Sequence, residues 1–193
     1  MARPIRPSPS PKRKTPKRRT LPAIKVRPLV ADRRRGHLLA GALVIPCALG
    51  RSGIATVKRE GDGVSPRGLF RLRQAFYRPD HLGSRPATIL PVRATRRHDG
   101  WCDAPSHRRY NRPMTLPCPG VSAEEMWRGD GLYDVVVDID YNRGPIRPGR
   151  GSAIFMHVAR PGYLPTEGCV ALARPDLLRL LRRIGPRTRL RIG

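Results

Sequence analysis

The chain has few aromatic residues, little acid and no long apolar run. Phe, Trp and Tyr make up only 5% of its 193 residues, and no base-stacking or groove-reading motif contains them. Recognition of nucleic acid through its bases is therefore not expected. The most apolar stretch, His37 to Ile45, is about eight apolar residues long, far short of a bilayer-spanning helix. Arg33, Arg34 and Arg35 precede it, as they would the h-region of a secretory signal. It lies deep in the chain, however, no small-x-small cleavage site follows, and Pro46 stands before Cys47, so there is no clear signal peptide. We read the stretch as a first core strand, with a turn at Gly50–Gly53 and a second strand from Ile54 to Val57.

Cysteine and histidine are also scarce, at four and five residues. Cys102, His107 and Cys118 lie close together, but there is no Cys-x-x-Cys and no His-x-x-x-His, so no metal site is expected. In an oxidising compartment Cys102 and Cys118 could form a disulfide; otherwise they are two thiols. The charged, Gly-rich Lys58–Gly63 lacks the Lys-Ser/Thr ending of a phosphate loop. No cofactor is implied.

What the chain has in excess is positive charge: 39 Lys and Arg against 14 Asp and Glu, a net +25. Residues 1–35 hold 13 of these cations against Asp32 alone, with seven prolines between Pro4 and Pro28. Such a segment is expected to be a disordered basic tail, followed by one domain over residues 36–193. It is read either as an electrostatic attachment to an anionic polymer or as a solvated leader.

Within the domain the pattern favours strands. Leu69 to Phe76 alternates, Thr88 to Val92 reads as a short strand, and Arg187 to Ile192 as a closing one. Tyr133, Val135, Val137, Ile139 and Tyr141 mark one face of a further strand. Asp134, Asp138 and Asp140 mark its other face, as partners either for a cationic ligand or for the chain's own arginines. Ser122-Ala123-Glu124-Glu125 reads as a capping box opening a short helix through Trp127. A second helix begins near Pro175, with Leu177, Leu178, Leu181 and Ile184 as its apolar stripe. Trp101, Tyr110 and Asn111 are expected to line a wall of the site, and the Asn142–Gly151 loop to overhang it.

The chemistry concentrates at Ile154-Phe155-Met156-His157 and Thr166-Glu167-Gly168-Cys169-Val170-Ala171-Leu172. An apolar run ending in His places an imidazole at a strand end. Pro161, Gly162 and Pro165 then turn the chain back to a cysteine preceded by glycine. A thiol beside an imidazole makes a nucleophile and its base, and Gly168 leaves backbone N–H groups open to an oxyanion. The structural alternative is a buried cysteine beside a satisfied histidine.

The Thr-x-Gly-Cys-aliphatic string after an upstream His resembles the signature of the L,D-transpeptidase catalytic domain. Gly63-Val64-Ser65-Pro66-Arg67-Gly68-Leu69-Phe70 is similar to the same family's Thr-Pro-x-Gly-x-Phe segment. The resemblance spans roughly Gly36 to Gly193 and implies a mainly-β, mixed-sheet domain with short helices. It also implies a peptidoglycan-remodelling enzyme of the cell envelope with Cys169 as nucleophile and His157 as general base. Thr166 and Gly168 would hold the oxyanion or substrate, stem peptides would be the partner, and no cofactor would be needed. Glu167 and Ala171 stand where the family commonly has His and Arg or Asn, and the interval from His157 to Thr166 is short. Glu167 is expected to turn away from the thiol, towards substrate or an arginine. Should water resolve the thioester, the same site would be an L,D-carboxypeptidase. The competing class is a basic wall- or nucleic-acid-binding protein with an inert Cys–His pair.

Overall fold

In the computed structural model, which describes residues 20–193, strands form where short apolar alternations find partners far away in the chain. The first half supplies β1 (Ala23–Pro28), β2 (Arg35–Ala40), β3 (Leu43–Ala48), β4 (Ile54–Ala55), β5 (Ser65–Pro66), β6 (Gly68–Tyr77) and β7 (Val92–Ala94). A single-turn helix, α1 (Pro79–Leu82), separates the last two. The second half supplies β8 (Asp99–Cys102), β9 (Pro113–Thr115), β10 (Ala123–Glu125), β11 (Val135–Ile139), β12 (Phe155–Val158), β13 (Val170–Leu172), helix α2 (Arg174–Leu181) and β14 (Arg189–Ile192). The main sheet runs β11-β12-β13-β3-β2-β1-β14-β6-β7, and β6 also pairs with β11, so the sheet closes on itself. Parallel pairs (β1–β14, β12–β13, β6–β7) mix with antiparallel ones, as expected for a mixed-sheet, mainly-β domain.

The expected boundary at residue 36 is displaced. Ile24 and Val26 are fully buried and alternate with Lys25 and Arg27, whose charges stay nearer solvent. They pair in register with Leu190 and Ile192 of β14, and β2 covers the other edge. The basic, proline-marked run therefore ends in a central strand rather than in tail. Residues 1–19 of the expected tail lie outside the described residues.

Four other expectations change. His37–Ile45 is not one strand but most of a hairpin. Ala40 pairs with Leu43 around Gly41, whose φ of +63° suits the tight turn. The helix expected from Ser122 is strand β10, paired with β8. With Gly129 so near, a helix would have had to nucleate within two turns, whereas the ladder satisfies the same backbone groups at once. The short strand expected at Thr88–Val92 begins at Val92 instead, where it pairs with β6. On α2 the buried stripe is Leu177, Leu180 and Leu181, continued by Ile184, with Leu178 only partly covered.

Strand β11 is buried on both faces. Val135, Val137 and Ile139 enter the main core inside the closed sheet, together with the α2 leucines. Val136 enters a second cluster with Phe76, Trp101, Phe155 and Cys169, beside the small β10-β8-β9 sheet. The aspartates flanking and within this strand meet arginines: Arg174 on Asp134 at 3.0 Å, Arg143 on Asp138 at 3.3 Å, Arg73 on Asp140 at 2.9 Å. They act as structural partners. Cys102 and Cys118 are free thiols, and Cys102 Sγ lies 3.5 Å from His107 Nδ1.

Candidate active site

Parallel pairing of β12 with β13 sets Met156 beside Val170 and His157 beside Ala171. Paired residues of a parallel ladder share a face, and so do residues two apart on one strand. His157 and Cys169 thus project from the same face of adjacent strands. They are offset by two residues, about 6.6 Å along the strand direction, and by one strand spacing, about 4.8 Å, across it. Both side chains line one cavity of about 370 Å³.

The thiol is held by backbone. Phe155 N–H donates to Cys169 Sγ at 3.3 Å, and Sγ donates to the Ala153 carbonyl, also at 3.3 Å. Ala153 adopts φ +50°, a costly conformation for a residue with a Cβ, and its N–H bonds to Asn111 Oδ1 at 3.2 Å. Asn111 also accepts from Trp101 Nε1 at 3.0 Å and donates to the Tyr141 and Asn142 carbonyls. The three residues expected to line a wall therefore do something else. Trp101 and Asn111 are buried behind that wall and fix the segment that holds the thiol. Buried Tyr110 hydrogen-bonds Glu60 and receives Gly151 N–H. The Asn142–Gly151 loop leads into Ser152 and Ala153, which do line the cavity.

His157 is buried, edge-to-face with the Tyr133 ring at a centroid separation of 5.3 Å. Its Nδ1 lies 2.8 Å from the Val158 carbonyl, which assigns the proton to Nδ1 and leaves the Nε2 lone pair for chemistry. Burial lowers its pKa to about 4, outweighing that hydrogen bond. Burial likewise raises the Cys169 thiol to about 12, against the opposing Phe155 N–H. Burial thus pushes both members of the pair towards their neutral forms.

The loop before Cys169 is pinned from three sides. Thr166 bridges to Leu49 and Arg51 through its backbone, while its Oγ1 receives Gly168 N–H at 3.1 Å and donates to Cys169 O at 2.7 Å. Ser65 Oγ donates to Gly168 O and receives Gly50 N–H, each at 2.9 Å. Gly168 has φ +130°, and a Cβ there would sit 2.6 Å from the Val64 carbonyl, so the close approach requires glycine. The upstream Gly63–Phe70 string thus supports the loop before Cys169. Its Ser65 is a supporting residue that spacing alone did not single out. Glu167 turns outward to Arg51 at 3.0 Å, as anticipated. Among the described residues no group of three His, Cys, Asp or Glu is placed to hold a metal ion, and no helix is long and apolar enough to cross a membrane.

The family model of the L,D-transpeptidase catalytic domain matches residues 30–192. The chain belongs to the L,D-transpeptidase family. Comparisons with curated proteins and with solved structures gave no match. The L,D-transpeptidase match runs from the approach to β2 through the end of β14 and contains every residue of the cavity; β1 precedes it.

Proposed function

We propose that the protein is an L,D-transpeptidase acting on peptidoglycan stem peptides through a thioester on Cys169. One observation carries the reading: Cys169 and His157 share a face of two adjacent parallel strands and open into one cavity. Sγ attacks the carbonyl between an L-centre and the terminal D-residue, and its proton passes to His157 Nε2 as the S–C bond forms. The tetrahedral oxyanion is received by Cys169 N–H, because Gly168 N–H is already held by Thr166. Thr166 and Gly168 accordingly shape the oxyanion loop. When the C–N bond breaks, imidazolium returns the proton to the departing amine. An acceptor amine then attacks the thioester, its proton leaving by way of His157 to the thiolate as the C–S bond breaks. Because burial favours the neutral thiol, proton transfer accompanies attack and does not precede it. Glu60, Glu124, Arg128 and Arg160 in the lining offer partners of both signs to a peptide carrying free amine and carboxylate groups.

This reading places the protein at the cell envelope. Residues 1–19, with eight Lys and Arg and no acid, would adhere to an anionic envelope polymer. Their removal, stopping short of β1, should leave turnover of a soluble stem peptide unchanged and lower salt-sensitive retention on isolated cell wall; unchanged retention would refute the tail's role. For the chemistry, a carbapenem-type β-lactam should add to Cys169, read by intact mass. The adduct should be absent from Cys169→Ser, whose melting temperature stays near that of the parent. No adduct on the parent, or an adduct persisting in Cys169→Ser, would overturn the mechanism.

A further inference from the structure

A lysine is buried behind the nucleophile loop, although thioester chemistry by itself requires none. Lys58, between β4 and β5, is only 3% exposed. Its Nζ donates to Asp62 Oδ1 at 2.7 Å and approaches the Arg59 carbonyl at 3.5 Å. Two glycines are shaped around it. A Cβ on Gly151 would lie 2.6 Å from Lys58 Cε, and one on Gly168 would lie 3.3 Å from Nζ. Both have positive φ, +95° and +130°. These glycines flank the thiol: Gly151 leads to Ala153, whose carbonyl receives the Sγ proton, and Gly168 precedes Cys169. The ammonium therefore lies directly behind the backbone that carries the nucleophile.

The lysine is not the only tie on the loop. Asp62 already accepts Arg59 N–H at 2.6 Å and Val64 N–H at 2.9 Å. A buried ion pair is seldom more stabilising than apolar side chains of the same size, and a methionine would fill the same channel. What the position retains is charge. Around the thiol stand neutral His157, the Tyr133 hydroxyl and two carboxylates, Glu124 and Glu167; the cavity lining adds Glu60, Asp103, Arg128 and Arg160. The two carboxylates push the thiol's ionisation up and Lys58 pulls it down.

We propose that Lys58 is a positioning residue for Cys169, its buried ammonium offsetting Glu124 and Glu167 and stabilising the negative charge that gathers on Sγ and the oxyanion. This rests on the thioester reading, but thiol reactivity tests it without any peptidoglycan. Alkylation of Cys169 by iodoacetamide, followed by peptide-resolved mass spectrometry from about pH 6 to about 10, reports the thiolate fraction. Lys58→Met should react roughly tenfold more slowly across that range, the effect of about one pKa unit. Asp62→Asn keeps the ammonium and removes its counter-charge, so it should react about threefold faster than the parent. Lys58→Met reacting at the parental rate would overturn the proposal. So would Asp62→Asn reacting no faster than the parent, since the loop and not the charge would then be responsible. If Lys58→Met does not fold, the Asp62→Asn rate decides alone. A parent protein that takes up no β-lactam would defeat the transpeptidase reading and leave these alkylation ratios standing.

Discussion

Asp138 and His157 stand on the same face of neighbouring strands. Asp138 pairs with Phe155 across the β11–β12 ladder and His157 with Val136, so only the Val136–Phe155 step separates them. Both are buried, and burial drives both towards their neutral forms: Asp138 up to about 6, His157 down to about 4. On a list of perturbed groups they would rank together. They differ in what surrounds them. Asp138 faces Arg143 at 3.3 Å and Arg73 at 4.0 Å, with no nucleophile beside it. His157 has one nitrogen tied to backbone and shares a cavity with a thiol. A shifted pKa marks burial, and a reactive partner within reach is what turns burial into a site.

The comparison predicts its largest contrast in acylation. His157→Gln should slow single-turnover acylation of Cys169 by about two to four orders of magnitude, the range for losing a positioned base. Asp138→Asn should change it by less than about threefold, because that side chain serves the arginines. Glu167→Gln, another carboxylate that turns to an arginine, should likewise change it little, since its pair with Arg51 is solvent-exposed. Stopped-flow acylation of the three variants is the measurement. A severe Asp138 or Glu167 effect beside a mild His157 effect would reverse the assignment.

The same contrast shows what was legible in the sequence. Cys169 and His157 could be picked out as a candidate pair from a strand end, a turn and a glycine step together with the family signature. The outward turn of Glu167 was expected because a carboxylate beside the thiol would oppose its ionisation. Strand β6 was legible from the alternation of Phe70 and Leu72 with arginines. Ile24 and Val26 alternate just as clearly. They were hidden among Lys, Arg and Pro because β1 takes its identity from β14, more than 160 residues away. The capping-box pattern at Ser122 was real as a pattern and was overridden by pairing with β8. Lys58 read as loop charge, since nothing nearby in the sequence shows that Gly151 and Gly168 close over it. Strand pairing is non-local, and it also buries polar residues that composition assigns to solvent.

The smallest effect offers the sharpest separation, because the two groups oppose each other in stability. The native state holds His157 at about 4, against an ordinary value of 6.5. Between those values the unfolded chain binds more protons, so His157's share of stability is complete above pH 6.5 and is lost as pH falls through 4. Asp138 sits at about 6 against an ordinary value of 3.8, and there the native state binds more protons. Its share is complete below 3.8 and is lost as pH rises through 6. Each swing is of the order of 3 kcal/mol, and where the windows overlap, from pH 4 to 6, they largely cancel in the parent protein. Removing one member exposes the other. Relative to the parent, His157→Gln should lose stability as pH rises across that window, and Asp138→Asn should lose it as pH falls. Asp62, Asp80, Asp99 and Asp130, held low, and Glu124, held high, are common to all three proteins and drop out on subtraction. Urea unfolding at about pH 4, 5 and 6 measures the differences. Slopes of the same sign in both variants would show that one of these residues is solvated in the native state, and the comparison would fail at that residue.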